Sequence, residues 1–258
     1  MPQLNAAGHL LEYAWIEVTG AAVAAARPTL VFLHEGLGSI RQWRDFPARV
    51  AQATGCRALV YDRYGYGNSD VLQEDKAGVR FMHREGLEAL PQVLKETNIE
   101  NPILIGHSDG ASIALIFAGA GHAVRGLAVM APHVFIEDIC VDSIAKASAA
   151  FESTDLPERL GKYHRDARKT FHLWADAWLD PAFRKWNIEE YLPGIRCPVL
   201  AIQGEADEYG TMAQLDAIAR QVGGPCELLK LPDCGHSPHK DQPEKVLQAL
   251  ARFVRACG

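Results

Sequence analysis

The sequence lacks three features, each of which would indicate a particular class of protein. It has no long apolar run: stretches such as Ile113–Gly121 are far shorter than the roughly 20 residues that span a bilayer. It has no basic excess, because 26 Lys and Arg stand against 32 Asp and Glu, for a formal net charge of −6. It has no Cys-x-x-Cys pair. We therefore expect a soluble protein with no membrane partner and no nucleic-acid partner.

Cysteine spacing and the first residues bear on the compartment. The six cysteines are irregularly spaced, which suits reduced thiols better than a disulfide framework. They are Cys56, Cys140, Cys197, Cys226, Cys234 and Cys257. The first residues have no basic leader, and Glu12 and Glu17 interrupt any apolar core, so we expect no export signal. Both observations predict a cytoplasmic protein.

The composition that is present is that of an ordinary globular protein. Hydrophobic residues make up 48% and charged residues 22% of the chain, unlike the low-hydrophobicity profile of disordered chains. A chain of 258 residues buries roughly 70 to 75% of its unfolded surface, so no disulfide or metal is needed for stability. This length predicts one large domain or one domain with an insertion.

Short apolar runs alternate with longer segments of helical period. Each of six runs predicts a buried strand. They are TLVFLH (29–34), RALVYD (57–62), PILIGH (102–107), VRGLAVMA (124–131), PVLAIQG (198–204) and CELLKLP (226–232). A period-2 segment, Tyr13–Val18, predicts an earlier strand, followed by a hairpin or loop over Ala21–Ala26. Apolar residues at helical spacing over 212–222 and 246–254 predict covering helices, hence an α/β fold with a mostly parallel central sheet flanked by helices.

The alternation stops between residues 132 and 194, where no clear strand is present. This stretch has three tryptophans and two helix-compatible segments, Ile136–Phe151 and Asp166–Leu179. We therefore predict a core of residues 1–131 and 195–258 with a helical cap, or lid, of residues 132–194. Open α/β sheets bind ligands at their carboxyl edge, where such an insertion can cover a substrate. The alternative is an extra packing layer with no substrate role.

The sequence Gly106-His107-Ser108-Asp109-Gly110 matches G-x-S-x-G. It directly follows a predicted strand and precedes an apolar helix, which is the context that this motif requires. The glycines permit a strained strand-to-helix turn, which exposes the hydroxyl and aims the helix N-terminus at developing negative charge. Ser108 is therefore the candidate nucleophile, and a purely structural turn is the alternative.

A serine hydroxyl needs a general base that is oriented by a third group. On a sheet of this kind the chain order is Ser, acid, His, which predicts Asp207 as the acid and His236 as the base. Glu205 and Glu208 are rival acids and His239 is a rival base. A metal site at the two histidines lacks both a cysteine pair and an H-E-x-x-H motif, so we expect no metal.

Acyl transfer also needs hydrogen-bond donors for the oxyanion of its tetrahedral intermediate. We predict that the backbone N–H of Asp109, next to the nucleophile, is the first donor. The second comes from the glycine-rich loop after the strand 29–34, with Gly36 preferred and Leu37 as the alternative. We interpret His34 as a hydrogen-bonded strut of this loop, not as a second base.

With these motifs the chain resembles members of the α/β-hydrolase fold superfamily over nearly its whole length. The motifs are His34-Glu-Gly-Leu-Gly-Ser39, Asp62-Arg-Tyr-Gly-Tyr-Gly-Asn-Ser69, Gly106-His-Ser-Asp-Gly110, Gly204-Glu-Ala-Asp207 and Gly235-His236. The Ser-Asp-Gly elbow and compact cap are similar to valacyclovir hydrolase-like carboxylesterases and, more loosely, to 3-oxoadipate enol-lactone hydrolases. Glu35 departs from the pattern, since many members have glycine there. We expect its carboxylate to point away into a loop hydrogen bond.

The resemblance and the residues imply a serine hydrolase that cleaves a small carboxylic ester, thioester or lactone through an acyl-enzyme. They imply a small-molecule substrate and no cofactor, and they are compatible with a homo-oligomer. A carbon–carbon bond hydrolase and a cofactor-free perhydrolase are alternatives on the same three residues. A non-catalytic small-molecule receptor is the alternative from another class.

Further residues are candidates for substrate contact. They are Leu37, His107, Trp174 and Trp178. In the cap, His164, Arg165 and Arg168 either meet an anionic group or form a solvated face. The Asp109 carboxylate either reads a cationic group, as in an α-amino ester, or bonds N–H groups at the start of its helix.

Overall fold

The structure, a computed structural model, describes residues 1–18, 27–74 and 77–258, so the predicted loop Ala21–Ala26 lies outside the described residues. Within these ranges, eight strands form one sheet in the order β1-β2-β4-β3-β5-β6-β7-β8. Their bounds are β1 Gln3–Ala6, β2 His9–Ile16, β3 Leu30–Leu33, β4 Ala58–Tyr61, β5 Ile103–His107, β6 Gly126–Met130, β7 Val199–Gly204 and β8 Cys226–Leu231. β2 is antiparallel to β1 and β4, and the remaining pairs are parallel.

The six predicted apolar runs all form strands, β3 to β8, which confirms the α/β fold. The prediction for the first residues was incomplete. Instead of one strand over 13–18, the chain forms a hairpin in which β1 pairs with β2. The turn residues Ala7 and Gly8 both have positive φ, 53° and 84°, as a tight two-residue hairpin turn requires. β1 has only 4 residues, too few to show a clear alternation.

Helices cover both faces of the sheet. Their bounds are α1 Phe46–Thr54, α2 Phe81–Arg84, α3 Leu90–Glu96, α4 Asp109–Gly119, α5 Asp138–Ser153, α6 Leu156–Gly161, α7 Ala167–Leu179, α8 Ala213–Gln221, α9 Pro238–Asp241 and α10 Pro243–Cys257. Strand residues alternate between the two faces: Val31 and Leu33 join the core under α3, α4 and α8, whereas Leu30 and Phe32 join the core under α1 and α10. The central helix α4 is buried almost all round, which suits its nearly continuous apolar sequence.

The chain between β6 and β7 is helical. The predicted helices 136–151 and 166–179 correspond to α5 and α7, and the sequence analysis missed α6 and the 3₁₀ turns Pro181–Lys185 and Glu189–Gly194. Trp178 and Trp186 pack with Phe183 in the core under α4. This part of the chain therefore contributes to the packed interior.

The structure also bears on two points of the sequence analysis, membrane-spanning segments and the state of the cysteines. In the described ranges, no helix combines the length and the apolar character that crossing a membrane would require. All six cysteines are free thiols. Burial raises the pKa of each of these thiols, so the folded protein keeps them in the unreactive, protonated form.

Candidate active site

Ser108 lies on a sharp turn between β5 and α4. Its backbone has φ 53° and ψ −119°, a region that residues other than glycine rarely occupy. The flanking glycines make the turn possible, because a Cβ at Gly106 would overlap the backbone of Gly110 and Ala111. A Cβ at Gly110 would overlap the backbone of Leu33 in β3. The predicted strand-to-helix elbow is therefore present, and it brings the Ser108 side chain to the wall of a cleft.

Three side chains from three loops at the carboxyl edge form a hydrogen-bonded chain. His236 Nε2 is 2.9 Å from Ser108 Oγ, and His236 Nδ1 is 2.8 Å from Asp207 Oδ1. Because a carboxylate can only accept a hydrogen bond, Nδ1 carries the proton and Nε2 is left to accept the serine hydroxyl hydrogen. The structure thus brings together the three residues that the sequence analysis singled out.

Asp207 is buried but well supplied with donors. Besides His236, the backbone N–H of Tyr209 donates to its Oδ1 at 2.8 Å and Gln203 Nε2 donates to its Oδ2 at 3.2 Å. Burial alone would raise the pKa of Asp207, but the hydrogen bond and charge of His236, with the Tyr209 N–H, lower it below its usual value. The carboxylate is therefore ionised and holds the imidazole in one orientation.

The rival residues lie elsewhere. Glu205 is exposed, and Glu208 accepts a hydrogen bond from the backbone N–H of His236 at 3.2 Å, so it supports the loop and does not orient the ring. His239 is buried against Trp43, with ring centroids 4.8 Å apart. Burial lowers the pKa of His239 well below its usual value. In the described part of the chain, no group of His, Cys, Asp and Glu side chains is placed to hold a metal ion.

The cleft beside Ser108 has a volume of about 210 Å³. Its lining is mainly apolar and aromatic, and includes Leu37, Cys140, Ile144, Trp174, Trp178 and Tyr209. Three of the four predicted substrate-contact residues, Leu37, Trp174 and Trp178, therefore face this space. Among the described residues, no lysine or arginine lines the cleft.

His107, the fourth candidate, also lines the cleft, but its ring is engaged by the protein. Its Nε2 is 2.7 Å from the backbone oxygen of His236, to which it donates, and its Nδ1 is 3.4 Å from Oε2 of Glu35. The side chain is 1% exposed. Its evident role is to hold the loop that carries His236.

The loop after β3 reaches the same cleft through Gly36 and Leu37. The Trp174 indole packs directly against Gly36, so a side chain there would overlap it. Asp109 is the first residue of α4, so its backbone N–H has no acceptor within the helix. The three backbone groups considered as oxyanion donors thus lie around one space beside Ser108.

His34 is the hydrogen-bonded strut that the sequence analysis predicted. Its Nε2 accepts from the backbone N–H of Arg63 at 3.1 Å, which leaves the proton on Nδ1. Nδ1 donates to the carbonyl oxygen of Glu35 at 2.8 Å. Burial and the nearby Arg63 lower the pKa of His34 well below its usual value, so the ring is neutral.

The Glu35 carboxylate, expected to point away into a loop hydrogen bond, has partners on other elements of the chain. The carboxylate pairs with Lys240 in α9, with Oε1 3.2 Å from Nζ, and its Oε2 lies 3.4 Å from Nδ1 of the His107 ring. Burial alone would raise the pKa of Glu35, but these two partners lower it well below its usual value. A long side chain at this position can reach a neighbouring loop, which the sequence pattern did not indicate.

The Asp109 carboxylate also departs from expectation. It is fully buried and accepts no hydrogen bond from the described residues, so it does not bond the N–H groups at the start of α4. Its Oδ2 is 3.7 Å from Nη2 of Arg63. Burial raises the pKa of Asp109 to about 6, against the opposing charge of Arg63. The guanidinium of Arg63 therefore already faces the Asp109 carboxylate, which the sequence analysis considered as a binding partner for an ammonium group of the substrate.

Cap residues considered for an anionic substrate divide into two kinds. His164 is buried and bridges two loops: Gly67 N–H donates to its Nδ1 at 2.9 Å, and its Nε2 donates to the carbonyl of Leu37 at 3.0 Å. Burial lowers the pKa of His164, so it supplies no positive charge. Arg165 and Arg168 are exposed, which favours a solvated face.

Two residues near the site were missed. His133, after β6, lines the cleft with its ring centroid 5.8 Å from that of His236, and burial lowers its pKa to about 3. Arg63 is 1% exposed and touches both the loop of Glu35 and the carboxylate of Asp109. Arg63 lies in the motif Asp62–Ser69, but a single sequence gives no sign that its side chain points inward.

Comparison with known proteins agrees with this architecture. The family model described as "Alpha/beta hydrolase family" matches residues 30–249. The 2-succinyl-6-hydroxy-2,4-cyclohexadiene-1-carboxylate synthase of Klebsiella pneumoniae is 27% identical, with 88% of this chain and 94% of that protein covered. The 3-oxoadipate enol-lactonase 1 of Acinetobacter baylyi is 25% identical, with 89% of each chain covered.

Solved structures share the fold. The enol-lactonase from Burkholderia xenovorans LB400 superposes with a TM-score of 0.76 at 18% identity, covering 98% of this chain and 100% of that one. A thermophilic esterase from Thermogutta terrifontis superposes with a TM-score of 0.70 at 19% identity, covering 100% and 99%. At these identities the likeness concerns the fold alone.

Proposed function

The chain belongs to the alpha/beta hydrolase family and is a hydrolase, and we propose that it cleaves a small carboxylic ester with Ser108 as nucleophile. His236 takes the hydroxyl proton as Ser108 attacks the acyl carbon, and it later returns a proton to the leaving group. Asp207 orients the imidazole and stabilises its charged form. Water, activated by His236 in the same way, then hydrolyses the acyl-enzyme and frees Ser108. The observation that carries this proposal is the continuous hydrogen-bonded chain from Ser108 Oγ to Asp207 Oδ1.

The oxyanion of the tetrahedral intermediate is assigned to the backbone N–H groups of Asp109 and Gly36. Both lie at the cleft, and the N-terminus of α4 adds a favourable dipole for negative charge. Leu37 remains the alternative second donor. No cofactor enters this chemistry, because the nucleophile, base and oxyanion donors all come from the chain.

The cleft favours a small, mainly apolar acyl group. Its volume of about 210 Å³ is below the roughly 300 Å³ at which drug-sized ligand sites begin. The indoles of Trp174 and Trp178 supply broad apolar walls. We propose that residues 132–194 form the cap that covers this group.

Two relatives favour particular variants of the chemistry. One is named an enol-lactonase, and a lactone is an internal ester that the same attack opens. The other is named a synthase of a cyclohexadiene carboxylate, so relatives of this chain also carry out a reaction that their name does not describe as a hydrolysis.

The proposal is tested by labelling and hydrolysis together. Purified protein is treated with a fluorophosphonate probe, and the labelled peptide is identified by mass spectrometry. Hydrolysis is then measured on p-nitrophenyl esters of increasing acyl length, with lactones and acyl-CoA thioesters beside them. Labelling at Ser108 and ester turnover that is lost in Ser108→Ala support the proposal. Turnover that survives in Ser108→Ala contradicts it.

A further inference from the structure

Arg63 is a buried arginine to which the proposed mechanism gives no role. It directly follows Asp62 at the end of β4, and its side chain is 1% exposed. An isolated buried cation is costly, so its neighbours indicate why it is tolerated. Burial would lower the pKa of Arg63, but Tyr66, Asp109 and Glu85 hold it above its usual value. The guanidinium is therefore charged in the folded protein.

The oxygen that Arg63 reaches is the carbonyl of Glu35. Nη2 of Arg63 donates to this oxygen at 2.9 Å, Nδ1 of His34 at 2.8 Å and the backbone N–H of Gly38 at 3.0 Å. A carbonyl has two lone pairs, so three donors saturate it. One of the three is charged, and charge-assisted bonds are roughly twice as strong as neutral ones.

The same peptide unit carries the N–H of Gly36. The described peptide bonds are all trans, so the C=O of Glu35 and the N–H of Gly36 point in opposite directions. Three donors hold the carbonyl, and Gly36 lines the cleft beside Ser108. Donation to the carbonyl oxygen also draws electron density from the amide and makes its N–H a stronger donor.

We propose that Arg63 is a positioning residue for the oxyanion hole, fixing and polarising the Glu35–Gly36 peptide so that the Gly36 N–H meets the oxyanion. Its backbone N–H contributes as well, because it fixes the tautomer of His34, the second side-chain donor to that carbonyl. This inference rests on the proposed function, since it assumes an oxyanion at Ser108. Arg63 does not line the cleft, so it acts through its protein neighbours and not on the substrate.

Arg63 also faces the other half of the predicted oxyanion hole. Its Nη2 is 3.7 Å from Oδ2 of Asp109, the residue whose backbone N–H is the first donor. Its guanidinium carbon lies 4.4 Å from the centre of the Tyr66 ring, which supports the flat face of the group. One side chain thus contacts Asp109, which carries the first donor, and Glu35, whose carbonyl belongs to the peptide that carries the second.

The test uses Arg63→Met, which keeps much of the volume and removes charge and donors. We expect kcat to fall by about 10- to 100-fold with KM within about twofold, less than the roughly 100- to 1,000-fold cost of deleting a donor. The affinity for a trifluoromethyl ketone, whose adduct with Ser108 bears an oxyanion, should fall by the same factor. Arg63→Lys should recover part of both losses.

Arg57→Met is the matched control, because Arg57 lies at the opposite end of β4 and stacks on Trp15. It should keep wild-type kcat and ketone affinity. If Arg63→Met does not fold, the double variant Arg63→Met/Asp109→Asn takes its place in the test. The second substitution removes the Asp109 carboxylate that the loss of Arg63 leaves unpaired. If neither folds, Arg63→Lys carries the test alone.

An unchanged ketone affinity in the folded Arg63 variant would overturn the inference, whatever happens to kcat or to thermal stability. That result is distinguishable from failure of the proposed function. In the latter case the wild-type protein itself would show neither labelling at Ser108 nor tight binding of the ketone.

Discussion

Ser108 has a buried aspartate on each side, and the two carboxylates differ in almost every property except burial. Asp207 accepts hydrogen bonds from His236, Tyr209 and Gln203, and the bond and charge of His236, with the Tyr209 N–H, hold its pKa below the usual value against burial. Asp109 accepts none from the described residues, and burial raises its pKa to about 6 although Arg63 is 3.7 Å away. A nearby charge at that distance does not replace direct hydrogen bonds in stabilising an ionised carboxylate.

The two aspartates differ in the role that we assign to the part of the site around each of them. The Asp207 side handles protons, since it is bonded to the imidazole that exchanges a proton with Ser108. The Asp109 side is enclosed by Arg63 and by Trp178, whose indole N–H lies near the carboxylate without a well-formed hydrogen bond. We assign to it the stabilisation of developing charge through backbone N–H groups and the shaping of the cleft.

Breaking the proton path should have the largest effect. Ser108→Ala, His236→Ala and the double variant should each lower kcat by about 10⁴-fold or more, because each removes the same proton-coupled attack. The measurement is the hydrolysis of a p-nitrophenyl ester at saturating substrate concentrations, with circular dichroism to confirm folding. If the kcat loss of the double variant equalled the product of the two single losses, Ser108 and His236 would not act as one unit.

Removing the charge of Asp207 should be the next largest change. Asp207→Asn should lower kcat by about 10³- to 10⁴-fold, because the amide cannot stabilise the imidazolium and favours the wrong tautomer. Glu205→Gln is the matched control, since it changes an exposed carboxylate two residues away. Were Glu205→Gln the damaging variant, the assignment of the orienting acid would be wrong.

The aromatic wall on the Asp109 side should govern substrate choice. Trp178→Ala enlarges the cleft, so esters with two more methylenes should gain about 10-fold in kcat/KM over acetate, at roughly 0.8 kcal/mol for each buried methylene. Trp174→Ala should also change the ranking of acyl chains. Trp186→Ala is the control, because Trp186 is in the core and does not line the cleft. An unchanged ranking with a lower Tm in all three would assign the tryptophans to packing.

The smallest effect concerns the titration of Asp109. Its carboxyl ionises near pH 3.8 when unfolded and near pH 6 when folded, so the folded state holds a proton that the unfolded state has released. Stability therefore falls as pH rises through this window. The Tm of Asp109→Asn relative to wild type should climb by a few degrees from pH 4 to pH 6 and then level off, as measured by differential scanning fluorimetry. A constant offset would contradict the raised pKa.

The comparison of the two sides also shows how far the sequence could lead. The Asp207 side was predictable residue by residue, because a strand-ending motif at Ser108 and the order Ser, Asp, His leave few alternatives. The Asp109 side was not. Whether Asp109 turns to solvent, to its own helix or to an inward arginine depends on side-chain directions that spacing does not encode, and Glu35 reached a lysine 205 residues away.

The fold divides in the same way. Parallel strands buried on both faces are continuous apolar runs and were found from the sequence pattern alone. The hairpin strand β1, with 4 residues, and the short helix α6, with 6, carry too few turns of their period to be recognised. Their positions are set by packing against the rest of the chain, which is non-local information.

The order of elements has a consequence for how the cleft can change. The three residues of the hydrogen-bonded chain come from loops that follow β5, β7 and β8, whereas α5, α6 and α7 all lie between β6 and β7. Substitutions at the cleft-facing residues of those helices alter what the cleft admits while the three loops that carry Ser108, His236 and Asp207 keep their sequence. The substrates that the cleft admits can therefore change while these three side chains are kept.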